Sequence, residues 1–337
     1  MRAVFMTGYG RPLEVREIEA PRPGAGEVLV RLEMTGACYR DILTVEGFFP
    51  KARPPLILGH EIAGRIAELG EGVEGFTKGE RVVSLTYTYC GQCRNCKSGR
   101  ENICRNRLWY GEDMDGSYAE YIRVKAGSLV KVPDEVPPEG AAIAACVTGM
   151  LIHAFQRVAK LSENETVLVT GAGGGVGIHA VQIARALGAR VIALTSSPSK
   201  VEQISKAGAD EVLVLSDRVG EEIKRLTGGE GVDLVLESVG QLTFSVSLRA
   251  LAWGGRIVNV GNVSASSVEI PLGLVILREN MVSGSISSTK KDVEQALEMT
   301  ARGLIRPIVT VLPLEKAQEA HELMKRRESV GRMLFKP

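Results

Sequence analysis

TVLVTGAGGGVGIHAVQIARALGARVIALTSS, residues 166–197, is the stretch that decides the fold of this chain. Its first residues are an apolar, β-branched run of the length of a buried strand. A glycine-rich turn follows, and VGIHAVQIARALGA then places apolar residues at the i, i+3, i+4 spacing of a helix. RVIALTSS returns to strand texture, so the segment reads strand, turn, helix, strand. Gly171, Gly174 and Gly177 fall three apart, and Gly174 with Gly177 supply the last two glycines of a dinucleotide fingerprint whose first position here is Ala172. Glycines at such a turn let the backbone approach a pyrophosphate, which sits at the N-terminus of the helix. Gly171, Gly174, Gly175, Val176 and Gly177 are therefore expected to bind a dinucleotide cofactor.

The end of the second strand bears on which dinucleotide. An NAD site carries Asp or Glu there to accept the ribose hydroxyls. This chain has Thr195, Ser196 and Ser197, followed by Lys200. Hydroxyls and an ammonium suit a 2′-phosphate, and no carboxylate repels it, so NADP(H) is expected over NAD(H). Ser197 or Ser199 capping the next helix is the competing role for these serines.

Outward from this unit the alternation continues. EVLVL (211–215), VDLVLESVG (232–240), GRIVNVGN (255–262) and MVSGSIS (281–287) are further strands. Strands alternating with helices imply a doubly wound parallel sheet with right-handed crossovers. The first 145 residues differ, with short β segments such as VLVRLEM, IAGRIAEL, RVVSL and YAEYIRV bounded by Gly and Pro turns. Residues 139–160 are alanine-rich and helix-favouring, and the last fifty residues read helix, strand, helix, strand. A chain of 337 residues is comfortable for two domains.

Composition narrows the function classes. Lys plus Arg number 41 against 40 for Asp plus Glu, so the net charge is +1 and nothing favours nucleic acid or an anionic membrane. The first residues lack the apolar segment of a signal peptide, and no 18-residue apolar run is evident, so a soluble cytoplasmic protein is expected.

Four of the six cysteines fall in CGQCRNCKSGRENIC, at Cys90, Cys93, Cys96 and Cys104. Two-residue gaps turn successive thiols back on one centre, the pattern of a closed tetrahedral zinc site that stabilises a loop. Free core thiols are the alternative, and the intervening Gln92, Arg94, Asn95, Lys97 and Arg100 are too polar for a core.

With these parts in hand the whole chain resembles the medium-chain dehydrogenase/reductase superfamily, in its zinc-containing alcohol dehydrogenase branch. The resemblance rests on GAGE near residue 24, LGHEIAGRIAELG (58–70), the cysteine lobe, DGSYAEY (115–121), the glycine loop and GGRIVNVG (254–261). It implies a GroES-like catalytic domain from residues 1–147 and 285–337, with the zinc lobe at 88–106, and a Rossmann domain at 148–284. It also implies a catalytic zinc held by Cys38 in TGACYRD, His60 of the GHE motif with Glu61 beside it, and Cys146 in AACVTG. Three protein ligands and an open position suit the polarisation of a carbonyl oxygen. The family further places Gly261 and Asn262 near the nicotinamide, Arg332 near the pyrophosphate, and a homodimer or homotetramer on the apolar run 267–285.

One position departs from the family. Alcohol dehydrogenases carry Ser or Thr two residues after the first cysteine to pass the alcohol proton outward, and this chain has Arg40. With a pKa above about 12, arginine cannot relay a proton. CYRD also resembles the NxRD signature of zinc-free quinone and enoyl reductases, and archaeal acryloyl-CoA reductases are similar in CYRD, CVTGM and STKKD (288–292). Two activities follow as expectations. One is an NADP(H)-dependent zinc alcohol dehydrogenase or carbonyl reductase acting on a ketone, aldehyde or alcohol, with Cys38, His60, Arg40 and Glu61 at its catalytic centre. The other is an NADPH-dependent reductase of an enoyl thioester or quinone, in which Arg40 meets a phosphate. A non-catalytic NADP(H)-binding protein is a distant third. His153 and His179 are expected to pack or cap, His321 to sit on an exposed helix, and Trp109 and Tyr110 to line the cleft or fill the core.

Overall fold

The computed structural model describes residues 1–264 and 266–337. It divides into two compact units, one of Met1–Met150, Ser287–Gly303 and Val309–Pro337, the other of Leu151–Ile286 and Leu304–Ile308.

The second unit is a six-stranded parallel sheet. Its spatial order is Glu211–Val214, Arg190–Thr195, Thr166–Val169, Val232–Glu237, Leu251–Asn259, Met281–Gly284. The order reverses direction between Thr166–Val169 and Val232–Glu237, which makes this the switch point of a doubly wound sheet, where ligands bind beyond the carboxyl ends of the strands. Leu168, Ile192, Val235 and Ile257 are fully buried, as expected of strands covered on both faces. Gly177–Ala186 is the helix after the glycine loop, and eight of its ten residues are buried.

The first unit is β-rich. A seven-stranded sheet runs Leu129–Lys131, Arg81–Ser84, Glu61–Leu69, Glu27–Ala37, Arg332–Lys336, Val309–Pro313, and Tyr121–Lys125 also pairs with Glu27–Ala37. The C-terminal strand Arg332–Lys336 lies antiparallel to Glu27–Ala37, which puts Met333 opposite Ala37. The tail of the chain is thereby part of the same sheet as the N-terminal segment. Lys290–Ala301 is stopped at its start by a capping box between Thr289 and Asp292.

The boundaries differ from those expected. The helical stretch Pro138–Val158 passes through residue 147 without a break, so Thr148, Gly149 and Met150 stay with the first unit. Leu304–Ile308 belongs to the second, tied there by side chains of the Gly177–Ala186 helix. Gln182 exchanges hydrogen bonds with Arg306 N–H and C=O, and the Ile308 N–H donates to His179 Nε2 at 3.0 Å. The same Pro138–Val158 stretch is long and apolar enough to cross a membrane, where no 18-residue apolar run was expected, but 78% of its most apolar window is buried inside the protein.

Candidate functional site

The cysteine lobe is built on two short turns, Arg94–Lys97 and Glu101–Ile103. They gather the thiols of Cys90, Cys93, Cys96 and Cys104 within 4.8 Å of one another. Four sulfurs each about 2.3 Å from a central zinc stand about 3.8 Å apart. The Sγ separations are 3.5 Å for 93–96 and 90–104, 3.9 Å for 93–104 and 4.0 Å for 90–96, so the set fits that ion. Backbone amides of Gln92 and Cys93 aim at Cys90 and hold its thiol down at about 6, which favours the thiolate a metal needs.

A second set forms in the first unit from three distant segments. Cys38 follows the strand Glu27–Ala37 and is the N-cap of the helix Tyr39–Val45. His60 precedes the strand Glu61–Leu69, and Cys146 lies in the π-helical turn Ala144–Thr148. Their ligand atoms, with a Glu61 oxygen, lie within 4.8 Å of one another. Cys146 Sγ stands 4.0 Å from Cys38 Sγ and 3.4 Å from His60 Nε2, distances that suit one tetrahedral ion. Gly59 makes the turn possible at φ +90°, and a Cβ there would stand 2.3 Å from Tyr118 Cδ1.

Electrostatics around the set are strong. His60 Nδ1 stands 3.2 Å from Asp41 Oδ1, the carboxylate–histidine pairing common at zinc sites. Burial works against the imidazolium, but Asp41 outweighs it and the imidazole is pushed up to about 10. The neighbouring Cys146 thiol, then the Arg332 and His60 charges, hold Cys38 well below the ordinary cysteine range against burial.

Arg332, expected near the pyrophosphate, meets Glu61 and Cys146 within the first unit. Its guanidinium is buried in an ion pair with Glu61, whose Oε2 is 3.3 Å from Nε, and stands 3.6 Å from Cys146 Sγ. The contact has a topological cause, since the register of the last strand brings Arg332 to the end of Glu27–Ala37, beside the Cys38, His60 and Cys146 set. Glu61, whose oxygen lies within the ligand group, is paired with this cation.

Arg40 is pinned. It forms an ion pair with Glu112, with Nε 3.0 Å from Oε2, and its guanidinium lies over two rings, 4.5 Å from the centroid of Phe49 and 4.6 Å from that of Trp109. Trp109 also meets Tyr87 edge to face. Tyr110, in contrast, is a core residue whose hydroxyl accepts the Lys125 N–H.

In the second unit the expected cofactor residues converge at the carboxyl ends of the strands. Gly171 follows Thr166–Val169, Gly261 and Asn262 follow Leu251–Asn259, and Thr195 closes Arg190–Thr195. Gly177 touches the loop so closely that a Cβ would lie 2.3 Å from the Gly171 carbonyl oxygen. His179 caps this turn, its Nδ1 2.7 Å from the Gly175 carbonyl. Lys200 folds over the loop, because a Cβ at Gly173 would stand 2.6 Å from Lys200 Cδ. Ser196 is exposed and Ser197 half-buried. Thr195 Oγ1 accepts the Ser197 N–H, and among the described residues the Ser197 side chain makes no cap hydrogen bond. The competing capping role for Ser197 therefore lapses.

Three site residues were not legible in advance. Asp41 holds His60 and also accepts the Cys38 N–H at 2.8 Å, for which the three-residue spacing Cys38–Asp41 was an available capping signal. Glu112 had no local signal. His321, expected on an exposed helix, is 4% exposed and bonded to Tyr118, because the helix Ala317–Lys325 turns that face inward.

Comparison with known proteins places this geometry. Residues 24–134 match the alcohol dehydrogenase GroES-like domain and residues 175–302 the zinc-binding dehydrogenase family. The chain is 45% identical to an acryloyl-coenzyme A reductase of Metallosphaera sedula over 99% of both chains. It is 35% identical to an alcohol dehydrogenase of Geobacillus stearothermophilus over 100% of this chain and 99% of that one. Among solved structures, AibC superposes with a TM-score of 0.92 at 40% identity, covering 100% of this chain and 96% of that one. The chain is an oxidoreductase of the zinc-containing alcohol dehydrogenase family, within the medium-chain dehydrogenase/reductase superfamily.

Proposed function

We propose that this protein is an NADPH-dependent reductase of α,β-unsaturated thioesters of the acryloyl-CoA kind. The observation that carries the reading is Arg40, clamped by Glu112, Phe49 and Trp109 at the position where an alcohol dehydrogenase needs a proton-relaying hydroxyl. Reducing a carbonyl to an alcohol requires a proton on oxygen, and oxidising the alcohol requires that proton to leave. Adding hydride to the β-carbon of an enoyl thioester requires no such relay, since the proton is taken up at the α-carbon. The full-length similarity to acryloyl-coenzyme A reductases supports the same choice.

When bound, the nicotinamide supplies the hydride, and a zinc ion at Cys38, His60 and Cys146 supplies Lewis acidity toward the thioester carbonyl. The chain's own residues prepare both sites. Cys38 is held toward thiolate, Asp41 turns the His60 ring so that Nε2 faces the two thiols, and Arg332 occupies Glu61. Loop residues Gly171–Gly177 present backbone and a helix N-terminus to the pyrophosphate, while Ser196, Ser197 and Lys200 suit a 2′-phosphate. A second zinc in the Cys90–Cys104 lobe is structural in this reading.

A zinc-dependent carbonyl reductase is the second reading, favoured by the completeness of the ligand set. NADPH oxidation followed by absorbance, with acryloyl-CoA and a hydrophobic cyclic ketone side by side, separates the two. Rapid turnover of the thioester with almost none of the ketone is expected. Turnover of the ketone alone, lost in Cys38→Ser, would replace the first reading with the second.

A further inference from the structure

Beyond Asp41 the hydrogen-bonded chain continues to two residues that neither reaction uses. Asp41 Oδ2, which accepts the Cys38 N–H, is also 3.0 Å from the Tyr118 hydroxyl, and that hydroxyl is 3.1 Å from His321 Nε2. Asp41 is 1% exposed, Tyr118 fully buried and His321 4% exposed. The Tyr118 ring is fixed by edge contacts with Phe335 at 5.0 Å and His321 at 5.9 Å, and by Gly59, the residue before His60.

Proton counting gives the chain a direction. A carboxylate only accepts, and a tyrosine hydroxyl carries one proton. Tyr118 therefore donates to Asp41, its oxygen is left to accept, and the donor is His321 Nε2–H. From the other side His60 donates its Nδ1–H to Asp41. With a metal bound, the result would be His321 → Tyr118 → Asp41 ← His60, in which His60 Nε2, 3.4 Å from Cys146 Sγ, is the ring nitrogen left to ligate. Burial pushes the His321 imidazole down, in keeping with a neutral ring at this end.

We propose that Tyr118 and His321 are positioning residues for the Cys38–His60–Cys146 metal set, fixing Asp41 and through it the tautomer and tilt of His60. The inference rests on the reading that this set holds a metal. The test uses the full chain loaded with Co²⁺ at both sets, with dissociation constants taken by chelator competition and the visible ligand-field band recorded. Tyr118→Phe removes only the hydroxyl. It is expected to weaken Co²⁺ at the Cys38 set by about 10–100-fold and shift its band, with the lobe's Co²⁺ unchanged. His321→Leu should behave likewise, whereas His321→Gln, whose amide can donate to Tyr118, should retain affinity within about threefold on the same scale.

Should Tyr118→Phe fail to fold, the His321 pair decides by itself. A lower thermal midpoint with both affinities and the band unchanged would overturn the proposal and make the chain a packing element only. Wild-type protein that takes up Co²⁺ in the lobe alone would overturn the metal reading and this inference with it.

Discussion

In the proposed NADPH site, Lys200 is the single side chain that would bear on cofactor choice. It is 8% exposed and lies against Gly173, and burial lowers its pKa from 10.5. If Lys200 holds the 2′-phosphate as proposed, its charged form is the one that binds while burial favours the neutral form, so NADPH binding is expected to weaken as pH rises, starting below the range of an ordinary lysine. Lys200→Ala should raise the NADPH dissociation constant about tenfold, or about 1.4 kcal/mol, and leave NADH within about twofold. Fluorescence titration with both cofactors at pH 7 and pH 9.5 checks this. Equal losses for the two would mean that the side chain only packs on the loop. Arg332 teaches a related lesson. Its type was legible in the sequence, but its partner was set by Glu61, 271 residues away, and removing one member of such a buried pair costs about 3–5 kcal/mol.

Among the elements, the cysteine lobe is a closed device whose ligands all come from one fifteen-residue segment. Without metal, its two short turns have almost no core, since of the four ligands only Cys104 is buried. Cys93→Ala should therefore release one zinc per subunit and lower the thermal midpoint, with kcat on the preferred substrate kept within about twofold, as expected for a closed structural site. Metal analysis with differential scanning fluorimetry checks the first part, and steady-state kinetics the second. Lost turnover at an unchanged midpoint would contradict the structural assignment. The glycine loop is the opposite case, an element held by its surroundings: Gly177 against Gly171, His179 on the Gly175 carbonyl, Lys200 over Gly173.

For the whole molecule, the edge of the parallel sheet stands out. Among the described residues Met281–Gly284 pairs on one side only, with Leu251–Asn259. Around it Trp253, Leu272, Ile276, Leu277 and Met281 are between 57% and 76% exposed. Large apolar side chains clustered on an open sheet edge are costly for a monomer. We propose that this face meets its copy in a homodimer or homotetramer. Ile276→Asp with Met281→Asp should shift the protein to a smaller species in sedimentation velocity, with secondary structure intact by circular dichroism. An unchanged sedimentation coefficient would place the contact elsewhere.

Whatever depends on near neighbours is written in the order of the residues alone. The period of residues 166–197 specified strand, loop and helix, because burial on both faces of a strand and one face of a helix leaves its mark on consecutive residues. Cysteine spacing specified the lobe for the same reason. Resemblance, not spacing, joined Cys38 to Cys146, which are 108 residues apart. Tertiary structure decided the rest: Tyr118 reaches Asp41 across 77 residues and His321 across 203, and Arg40 finds Glu112 across 72. No local period records such partners, because each side chain satisfies its charge or hydrogen bond with whatever the sheet register brings beside it.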